Sequence, residues 1–347
     1  MAFKRVTIGE VAAEAGVSVA TVSKVINGRY GVAAATSARV KEVIDRLGYE
    51  SSLIARSLRS HRTGVLGIIV SDFEPFSTEL LKGAAQAIRE TGYEVIVYSV
   101  VGRAPEKVGW ERRSMSRLAG TLTDGTILVT PTVVDVGGGG PAVAVDPHTG
   151  SSGMPTVDAD NFTGAVTATT HLVGLGHRRI GFIAGRPDLE SARQRERGFR
   201  HAMAEAGIDV DPDLVLVGDY TLEGAEEPAQ KLLGMDDPPT AVFAANDQSA
   251  IETIEVAQSR GVRVPDDLSV VGFDNVPESA LVDPPLTTID QSIQQMGFEA
   301  VRLLISLIDE PDQPVAHITL PTELVVRQSS RQIAVATEEP GTEEEGT

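Results

Sequence analysis

Residues 7–27, TIGEVAAEAGVSVATVSKVIN, contain two short helical patterns separated by about three residues. Thr7 and Glu10 form a T-x-x-E capping box, in which the Thr hydroxyl accepts from a free N–H of the first turn and the Glu carboxylate accepts from the capping residue. The apolar residues of the first helix repeat at i, i+3, i+4 and i+7: Ile8, Val11, Ala12 and Ala15. This single apolar stripe predicts a short helix that packs on a small core.

A turn and a second helix follow this stripe. Gly16 stands where a left-handed backbone favours glycine, and Ser18 supplies a hydroxyl N-cap. The inward residues of the second helix are apolar: Val22, Val25 and Ile26. Its outward residues are small or polar: Val19, Ala20, Ser23, Lys24 and Asn27. Small side chains let a helix approach base edges and Lys donates to guanine or phosphate, so the pattern indicates a DNA-reading helix-turn-helix. An ordinary two-helix hairpin with a solvated face is the alternative.

The string VTIGEVAAEAGVSVATVSKVING resembles the DNA-binding head of the lac/gal repressor family of bacterial transcriptional regulators, whose pattern runs V-T-[IL]-x-[DE]-V-A-x-x-A-G-V-S-x-x-T-V-S-[RK]-[VA]-[LIV]-N. The resemblance continues to about Arg331 and so covers almost the whole chain. It implies DNA contacts from a head, residues 1–50, and from a hinge, residues 51–62. The residues that it places on DNA are Thr7, Ser18, Val19, Ala20, Thr21, Ser23, Lys24, Asn27 and Arg29 in the head, and Ala55, Arg56, Leu58 and Arg59 in the hinge.

The hinge sequence, SSLIARSLRSHR, is basic and too poor in apolar residues to fold alone, so its composition alone is also that of a flexible linker. The family resemblance favours a helix that orders on operator DNA and inserts Leu58 between base steps of the minor groove. The family usually has Pro-Asn before this helix, whereas this chain has Ser51 and Ser52. The chain departs from the family pattern at that point.

The formal net charge of −19 is unevenly distributed along the chain. Residues 1–62 contain ten Lys/Arg and five Asp/Glu, a net +5, whereas the remainder contains 20 Lys/Arg and 44 Asp/Glu, a net −24. A basic segment at one end directs that end to phosphates, while the acidic remainder is repelled from them. The charge distribution therefore favours double-stranded operator DNA as the partner of the head.

A chain of 347 residues with 41% apolar residues is globular and suits two or three domains. The absence of cysteine excludes a disulfide framework and a Cys-ligated metal. No apolar run reaches 18 residues and no charged-then-apolar leader is present, so we expect a cytoplasmic protein without membrane association. Residues 332–347 end in TEEPGTEEEGT and are predicted to form a disordered acidic tail.

From Val65 onward, short apolar runs alternate with amphipathic helical patterns, and the same alternation restarts after Pro155. This alternation is typical of parallel βαβ units. We therefore predict an α/β fold, in which the all-α head precedes a two-lobed sensor, residues 63–331, similar to periplasmic binding proteins. The first lobe comprises about residues 63–158 and 291–321, and the second lobe about residues 161–289 and 323–331. Three crossings between the lobes are expected near residues 157–161, 286–291 and 321–323.

Ligands of such folds bind in the cleft between the lobes, at the carboxyl ends of the strands. Polar residues follow the predicted strands or occupy the neighbouring helices: Asp72, Asp146, Arg195, Asn246, Asp274 and Gln291. Each of them could instead be a helix cap or a loop residue. The resemblance implies that they line the cleft, together with Phe76, Asp160 and Tyr220. Phe76 and Ser77 replace the usual Pro-Phe-Phe of the family, so the first-lobe wall departs from the family pattern.

The chain shows no nucleophile elbow, no His-x-x-His pair and no Gly-rich nucleotide fingerprint, so we expect no catalysis, no cofactor and no metal. The leading hypothesis is a homodimeric repressor, with a higher oligomer left open, that leaves a palindromic operator when a small sugar binds. A purine-like or phosphorylated metabolite that acts as corepressor is the second hypothesis. The third is a sugar-binding protein without DNA activity, which the motif of residues 7–27 disfavours.

Overall fold

The computed structural model describes residues 6–26, 29–49, 62–89, 91–99, 109–118, 122–133, 137, 140–150 and 153–333. By its internal contacts the chain separates into two compact units, residues 1–63 and residues 64–347. Within the described ranges, no helix is long and apolar enough to cross a membrane. The predictions for Asn27, for hinge residues 51–61 and for tail residues 334–347 lie outside the described residues.

The head contains three helices, α1 (Ile8–Ala15), α2 (Val19–Ile26) and α3 (Ala34–Leu47). The predicted capping box is present: the Glu10 N–H donates to Thr7 Oγ1 at 3.3 Å, and the Thr7 N–H donates to Glu10 Oε2 at 2.8 Å. Gly16 ends α1 with a left-handed φ of 63°. Ser18 Oγ accepts from the Thr21 N–H at 3.1 Å, which caps α2. The three-residue turn between α1 and α2 is therefore confirmed.

The third helix closes the core of the head, where Val11, Val22 and Val40 are fully buried. The helical spacing of Val40, Val43, Ile44 and Leu47 predicts a helix that starts at Thr36. The observed helix begins two residues earlier, at Ala34. The residue before it, Ala33, makes no side-chain capping bond, so the sequence carries no cap signal at that position.

The first lobe is built on β1 (Val65–Val70), β2 (Glu94–Ser99), β3 (Gly125–Val129), β4 (Ala142–Val145) and β5 (Thr156–Ala159), with the helices α4 (Pro75–Ile88) and α5 (Trp110–Leu118). All residues of β1 and β3 are buried, as expected for a parallel sheet covered on both faces. The amphipathic pattern after the first strand predicts a helix from Ser77 to Glu90. Helix α4 begins earlier, at Pro75, because Glu74 caps it and proline suits the first helical position.

The second lobe repeats this arrangement with β6 (Ile180–Ala184), β7 (Val215–Val217), β8 (Ala241–Ala244), β9 (Ser269–Asp274) and β10 (Thr287–Asp290), and with the helices α6 (Asn161–Gly174), α7 (Glu190–Glu205), α8 (Leu222–Leu233) and α9 (Asp247–Ser259). The end of the chain returns as α10 (Ile293–Asp309), β11 (His317–Leu320) and β12 (Glu323–Val325). The strand orders are β11-β5-β4-β3-β1-β2 and β12-β10-β9-β8-β6-β7. All described strand pairs are parallel except β10 with β12.

The chain crosses between the lobes three times, at residue 160 between β5 and α6, at residues 291–292 between β10 and α10, and at residues 321–322 between β11 and β12. The second crossing lies at the end of the predicted span 286–291, because residues 287–290 form β10 inside the second sheet. Since the parallel strands of one sheet point their carboxyl ends to the same edge, the crossings leave two such edges at the cleft between the lobes.

Helices α4 and α10 cross in the first lobe with glycines at the contact. A Cβ built at Gly83 would overlap the Gln294 carbonyl oxygen, and a Cβ built at Gly297 would overlap the Leu80 carbonyl oxygen. Only glycine permits backbones to approach this closely. These two residues therefore fix the position of α10, the helix that follows the second crossing.

Gly297→Ala is expected to destabilise the chain by about 1 to 3 kcal/mol, because the added methyl group has no space between two helix backbones. Gly174→Ala is the matched control: it is also helical, its Cβ would meet nothing within 4 Å, and the change should be neutral or stabilising by about 0.5 to 1 kcal/mol. Urea unfolding of both variants measures the difference. A Gly297→Ala protein as stable as the Gly174→Ala protein would contradict the close helix contact.

Candidate ligand cavity and nucleic-acid interface

A cavity of ≈ 360 Å³ lies between the two lobes, at the carboxyl ends of their strands. Eight of the nine predicted ligand residues line it: Asp72, Phe76, Asp146, Arg195, Tyr220, Asn246, Asp274 and Gln291. Asp160 lines a separate cavity of ≈ 220 Å³, and its Oδ1 caps α6 by accepting from the Thr163 N–H at 3.0 Å. Asp160 is thus the N-cap of α6 and does not line the cavity of the other eight residues.

The guanidinium of Arg195 lies at the centre of the second-lobe wall and is only 4% exposed. Its Nε donates to Asn161 Oδ1 at 2.8 Å, and its Nη2 donates to Gln291 Oε1 at 3.2 Å. Its Nη1 donates to the Ala245 carbonyl at 2.5 Å and to Asp274 Oδ1 at 3.2 Å. Four of the five N–H donors of the guanidinium are thus used within the protein. Arg195 therefore orients the acceptors around it as much as it offers donors to a ligand.

The Phe273 ring supports this guanidinium from one face, with Arg195 Cζ 3.8 Å from the ring centroid. Gln291 adds a second bond to the cluster, since its Nε2 donates to Asp274 Oδ1 at 2.5 Å. The carboxylate of Asp274 is thus held by an arginine and an amide. This arrangement fixes the direction of Asp274 before any ligand arrives.

Two carboxyl groups in the cavity have raised pKa values. Burial raises the pKa of Asp274 to about 7, against the opposing effect of the Arg195 charge, and the nearby Glu74 raises it further. Burial also raises the pKa of Asp146 to about 6, although Arg195 opposes this shift. Asp146 belongs to the first lobe and Asp274 to the second, so both walls carry carboxyl groups that are partly protonated near neutral pH.

Tyr220 supplies an aromatic side of the second-lobe wall. Its ring lies against Gly185, where any Cβ would overlap the ring, and its backbone takes a left-handed φ of 67°. The side-chain amide of Asn246 donates to the Tyr220 carbonyl at 3.0 Å and stabilises this backbone. The Tyr220 hydroxyl is buried without a hydrogen-bond partner among the described residues, and burial raises its pKa to about 12. The phenol is therefore neutral at physiological pH, and Tyr220 lines the cavity.

The side chains of Asn246 and its neighbour Asp247 form hydrogen bonds that hold the start of α9 and the ends of the adjacent strands. Asn246 Oδ1 caps α9 by accepting from the Ser249 N–H at 3.0 Å. The fully buried Asp247 accepts from the Val276 N–H at 2.9 Å and from the Thr288 hydroxyl. Asp247 therefore links the segment after β9 to β10, a role that the sequence analysis did not predict.

The first-lobe wall contains Asp72 and Phe76 together with residues that the sequence analysis did not identify: Ser71, Glu74, Trp110, Thr130, Thr132 and His148. Asp72 is exposed, and its Oδ1 accepts from the Phe73 N–H at 2.7 Å. Glu74 caps α4, and burial raises its pKa. The Glu-Pro pair is a helix-start signal that could have identified Glu74. No local pattern could have placed Trp110 at the cavity.

The cavity is more acidic than basic. Five carboxyl side chains line it: Asp72, Glu74, Asp146, Asp219 and Asp274. The lining cations are Arg186 and Arg195, and Arg186 is paired with Asp188 through bonds of 3.1 and 2.8 Å. In the part of the chain that the structure describes, no group of three or more His, Cys, Asp or Glu could hold a metal ion. The charge balance thus favours neutral ligands over anions.

The outward face of α2 has the character of a DNA-contact surface. Val19 is 47% exposed, and Ala20 and Lys24 are also exposed. The hydroxyls of Ser18 and Thr21 share a hydrogen bond of 2.9 Å. Ser23 is half-buried and Arg29 is exposed. Asn27 and the predicted hinge contacts lie outside the described residues: Ala55, Arg56, Leu58 and Arg59.

Known protein families match the sequence of each of the two units. Residues 7–52 match the family model for bacterial regulatory proteins of the lacI family, and residues 169–330 match that for a periplasmic binding protein-like domain. The HTH-type transcriptional repressor PurR of Photobacterium profundum is 33% identical over 339 residues, 94% of this chain and 99% of the relative. Catabolite control protein A of Priestia megaterium is 32% identical over 336 residues, with the same coverage of 94% and 99%.

Solved structures of transcriptional regulators are also similar to this chain over most of its length. A complex of the transcriptional regulator CelR with cellobiose is 33% identical and superposes with a TM-score of 0.71, covering 94% of this chain and 100% of the other. The lac repressor dimer bound to operator and the anti-inducer ONPF is 27% identical, with a TM-score of 0.81 and the same coverage of 94% and 100%.

The raised pKa of Asp146 predicts a pH-dependent stability. Because its folded-state pKa is about 6 and its unfolded pKa about 3.8, the native state holds more protons between these values, and the contribution of Asp146 to stability falls as pH rises through that range. Urea unfolding between about pH 4.5 and 6.5 should therefore show Asp146→Asn gaining stability relative to wild type as pH rises.

Asp267→Asn is the control, since Arg263 lowers the pKa of the exposed Asp267 to about 2, below this range. Its stability difference from wild type should be constant between those pH values. If the unfolding free energies of wild type and Asp146→Asn change with pH in parallel, the raised pKa of Asp146 is contradicted.

Proposed function

The chain belongs to the lacI family of bacterial regulatory proteins and is a DNA-binding transcriptional repressor of that family; we propose that a small neutral sugar releases it from a palindromic operator. On this proposal the protein acts as a homodimer on carbohydrate-utilisation genes. The observation that carries the ligand class is the interlobe cavity, where an aromatic wall stands beside oriented hydrogen-bonding groups and an excess of carboxylates.

A sugar ring presents apolar C–H faces and a rim of hydroxyl groups. The Tyr220 ring suits the C–H face, and Asp274 and Gln291 offer acceptors and donors to hydroxyls. The neutral hydroxyl of Tyr220 adds a further hydrogen-bonding group beside the ring. The similarity to the regulator solved with cellobiose supports the same ligand class.

A phosphorylated ligand suits this cavity less well. The phosphate would approach five lining carboxyl groups, and of the two lining arginines Arg186 already pairs with Asp188. Arg195 is held by Asp274 and three other acceptors. Because like charges repel strongly in a partly desolvated cavity, the electrostatics favour an uncharged ligand.

A purine-like corepressor is the second candidate, because several relatives at 32 to 35% identity carry the name HTH-type transcriptional repressor PurR. A neutral purine base is flat and offers ring nitrogens and carbonyls to Asp274 and Gln291. It would suit the aromatic wall as a sugar does. The two candidates differ in the direction of their effect on operator binding.

The proposed mechanism couples the ligand to DNA through lobe closure. Arg195 and Asp274 lie in the second lobe, while Asp72 and Phe76 lie in the first, so a ligand that touches both walls binds the closed cleft more tightly. Closure would change the spacing of the two hinge segments in a dimer and thus the fit of the Leu58 wedges to the minor groove. Couplings of this kind typically amount to about 1 to 3 kcal/mol.

On the DNA side, the exposed face of α2 would read base edges in the major groove. Val19 and Ala20 are small enough to meet thymine methyl groups, and Lys24 can donate to guanine or phosphate. The hinge arginines Arg56 and Arg59 would contact phosphates on either side of the central step.

The test measures operator affinity of the full chain by fluorescence anisotropy, on a duplex selected from random sequences. The ligand panel contains ribose, cellobiose, guanine, hypoxanthine and glucose 6-phosphate. A neutral sugar should weaken operator affinity by about 5- to 150-fold, and Asp274→Ala should bind operator normally but resist release. Asp236→Ala, an exposed charge deletion in the second lobe, should behave like wild type.

Other outcomes of this experiment would contradict the proposal. A purine base that tightens operator binding, while no sugar acts, would replace the inducer scheme with the corepressor scheme. Release by glucose 6-phosphate alone would contradict the charge argument. A folded Asp274→Ala protein with the wild-type ligand response would refute the assigned site.

A further inference from the structure

We propose that Trp110 is a ligand-contacting residue on the first-lobe wall, and that a buried clamp between Glu111 and Thr132 holds it there. The ligand-contact part of this inference rests on the proposed function, since it takes the interlobe cavity as the effector site. The clamp itself consists of protein groups alone and does not depend on the proposed function. Neither residue follows from the sequence motifs.

The clamp joins the start of α5 to the segment after β3. Both carboxylate oxygens of the fully buried Glu111 accept from Thr132, Oε1 from its backbone N–H and Oε2 from its hydroxyl at 3.1 Å. The same hydroxyl accepts from the Gly109 N–H at 3.0 Å. A buried carboxylate is costly unless its oxygens are hydrogen-bonded, so these bonds hold the two segments together strongly.

Both segments that the clamp joins line the ligand cavity. Thr130 and Thr132 line it on one side, and Thr130 takes a left-handed φ of 46° that is unusual for a residue other than glycine. The Thr130 N–H donates to the Val145 carbonyl at 2.8 Å, and the Pro131 carbonyl accepts from the His148 N–H at 3.0 Å. These two bonds fix the backbone of residues 130–131 against β4 and the segment that follows it. The clamp then ties the next residue, Thr132, to the start of α5.

Trp110 is the residue of α5 that reaches the cavity. It is 4% exposed and packs in a cluster with Ile69, Met115 and Leu128 while also lining the cavity. An indole has a large apolar face and one N–H donor, which suits stacking on a sugar ring or a purine. Its neighbour Glu111 is locked by the clamp, so the indole has little freedom to withdraw.

Trp110 and Tyr220 line one cavity from opposite lobes. A flat or ring-shaped ligand that contacts the indole from the first lobe and the phenol from the second would gain both contacts only when the lobes approach. We infer that this pair contributes to the preference for the closed cleft. Ligand specificity then depends on a first-lobe aromatic as well as on the polar cluster around Arg195.

The first experiment uses intrinsic fluorescence, because Trp110 is the only tryptophan of the chain. Cellobiose and guanine serve as the probes on the full chain. A probe that changes operator affinity should shift or quench the Trp110 emission with the same midpoint, and Trp110→Phe should weaken its binding about threefold and Trp110→Leu about tenfold. A probe that acts on operator binding with unchanged emission, and with unchanged affinity in Trp110→Phe, overturns the contact while leaving the proposed function intact.

The second experiment tests the clamp without ligand. Thr132→Val removes the hydroxyl that joins Gly109 to Glu111, and it should shift the Trp110 emission to longer wavelength and at least double its quenching by acrylamide. Thr126→Val is the matched control, since the buried Thr126 hydroxyl makes no hydrogen bond to a described residue, and its emission should equal that of wild type. Equal emission and quenching in Thr132→Val and Thr126→Val would overturn the clamp.

The two experiments separate the possible failures. If neither probe changes emission or operator binding, the ligand class of the proposed function and the contact role of Trp110 both fall, while the clamp is still decided by the valine variants. If a probe changes emission in wild type and loses at least tenfold affinity in Thr132→Val but not in Thr126→Val, clamp and contact are both supported.

Discussion

The buried guanidinium of Arg195 is the interaction on which the cavity depends. A fully desolvated cation is costly, and this one is stabilised by the Asp274 carboxylate, by acceptors from Asn161, Ala245 and Gln291, and by the Phe273 ring. Asn161 follows the first crossing between the lobes and Gln291 lies in the second. One side chain of α7 therefore joins the polar cluster at the ligand site to two of the three connections between the lobes. A ligand that bonds to this cluster acts close to the points about which the lobes can move.

The other polar side chains of the cavity have two different roles. Asn246, Asp247 and Glu74 are held by hydrogen bonds to other protein groups and shape the walls. Tyr220 and Asp146 also line the cavity, and the Asp146 carboxylate accepts one hydrogen bond, from Ser191. Burial keeps the carboxyl groups of Asp146 and Asp274 partly protonated near neutral pH, and the excess of carboxyl groups in the cavity discourages anions. The same acidity in the sensor, opposed to the basic head, directs the protein to DNA by one end only.

The fold was predictable wherever local chemistry left a pattern. The capping box at Thr7, the glycine at position 16 and the alternation of buried strands with helices gave the head and the two lobes. The start of α3 was missed because Ala33 offers no cap, and the start of α4 because Glu74 was not recognised as one. Residues at strand ends were predictable as cavity lining, since parallel strands share an edge. Trp110, Glu111 and Thr132 were not, because their contact joins segments 21 residues apart without any repeating pattern.

The most direct test of the role of Arg195 compares Arg195→Lys with Arg197→Lys in the full chain, by operator release with the panel ligand that acts on wild type. Lysine keeps the charge but cannot donate to four acceptors in the fixed planar geometry of a guanidinium. We predict that Arg195→Lys folds and binds operator but is no longer released by the ligand, whereas Arg197→Lys, changed at a side chain that is 60% exposed, is released as wild type is. A folded Arg195→Lys protein that is released at the wild-type ligand concentration would contradict the account.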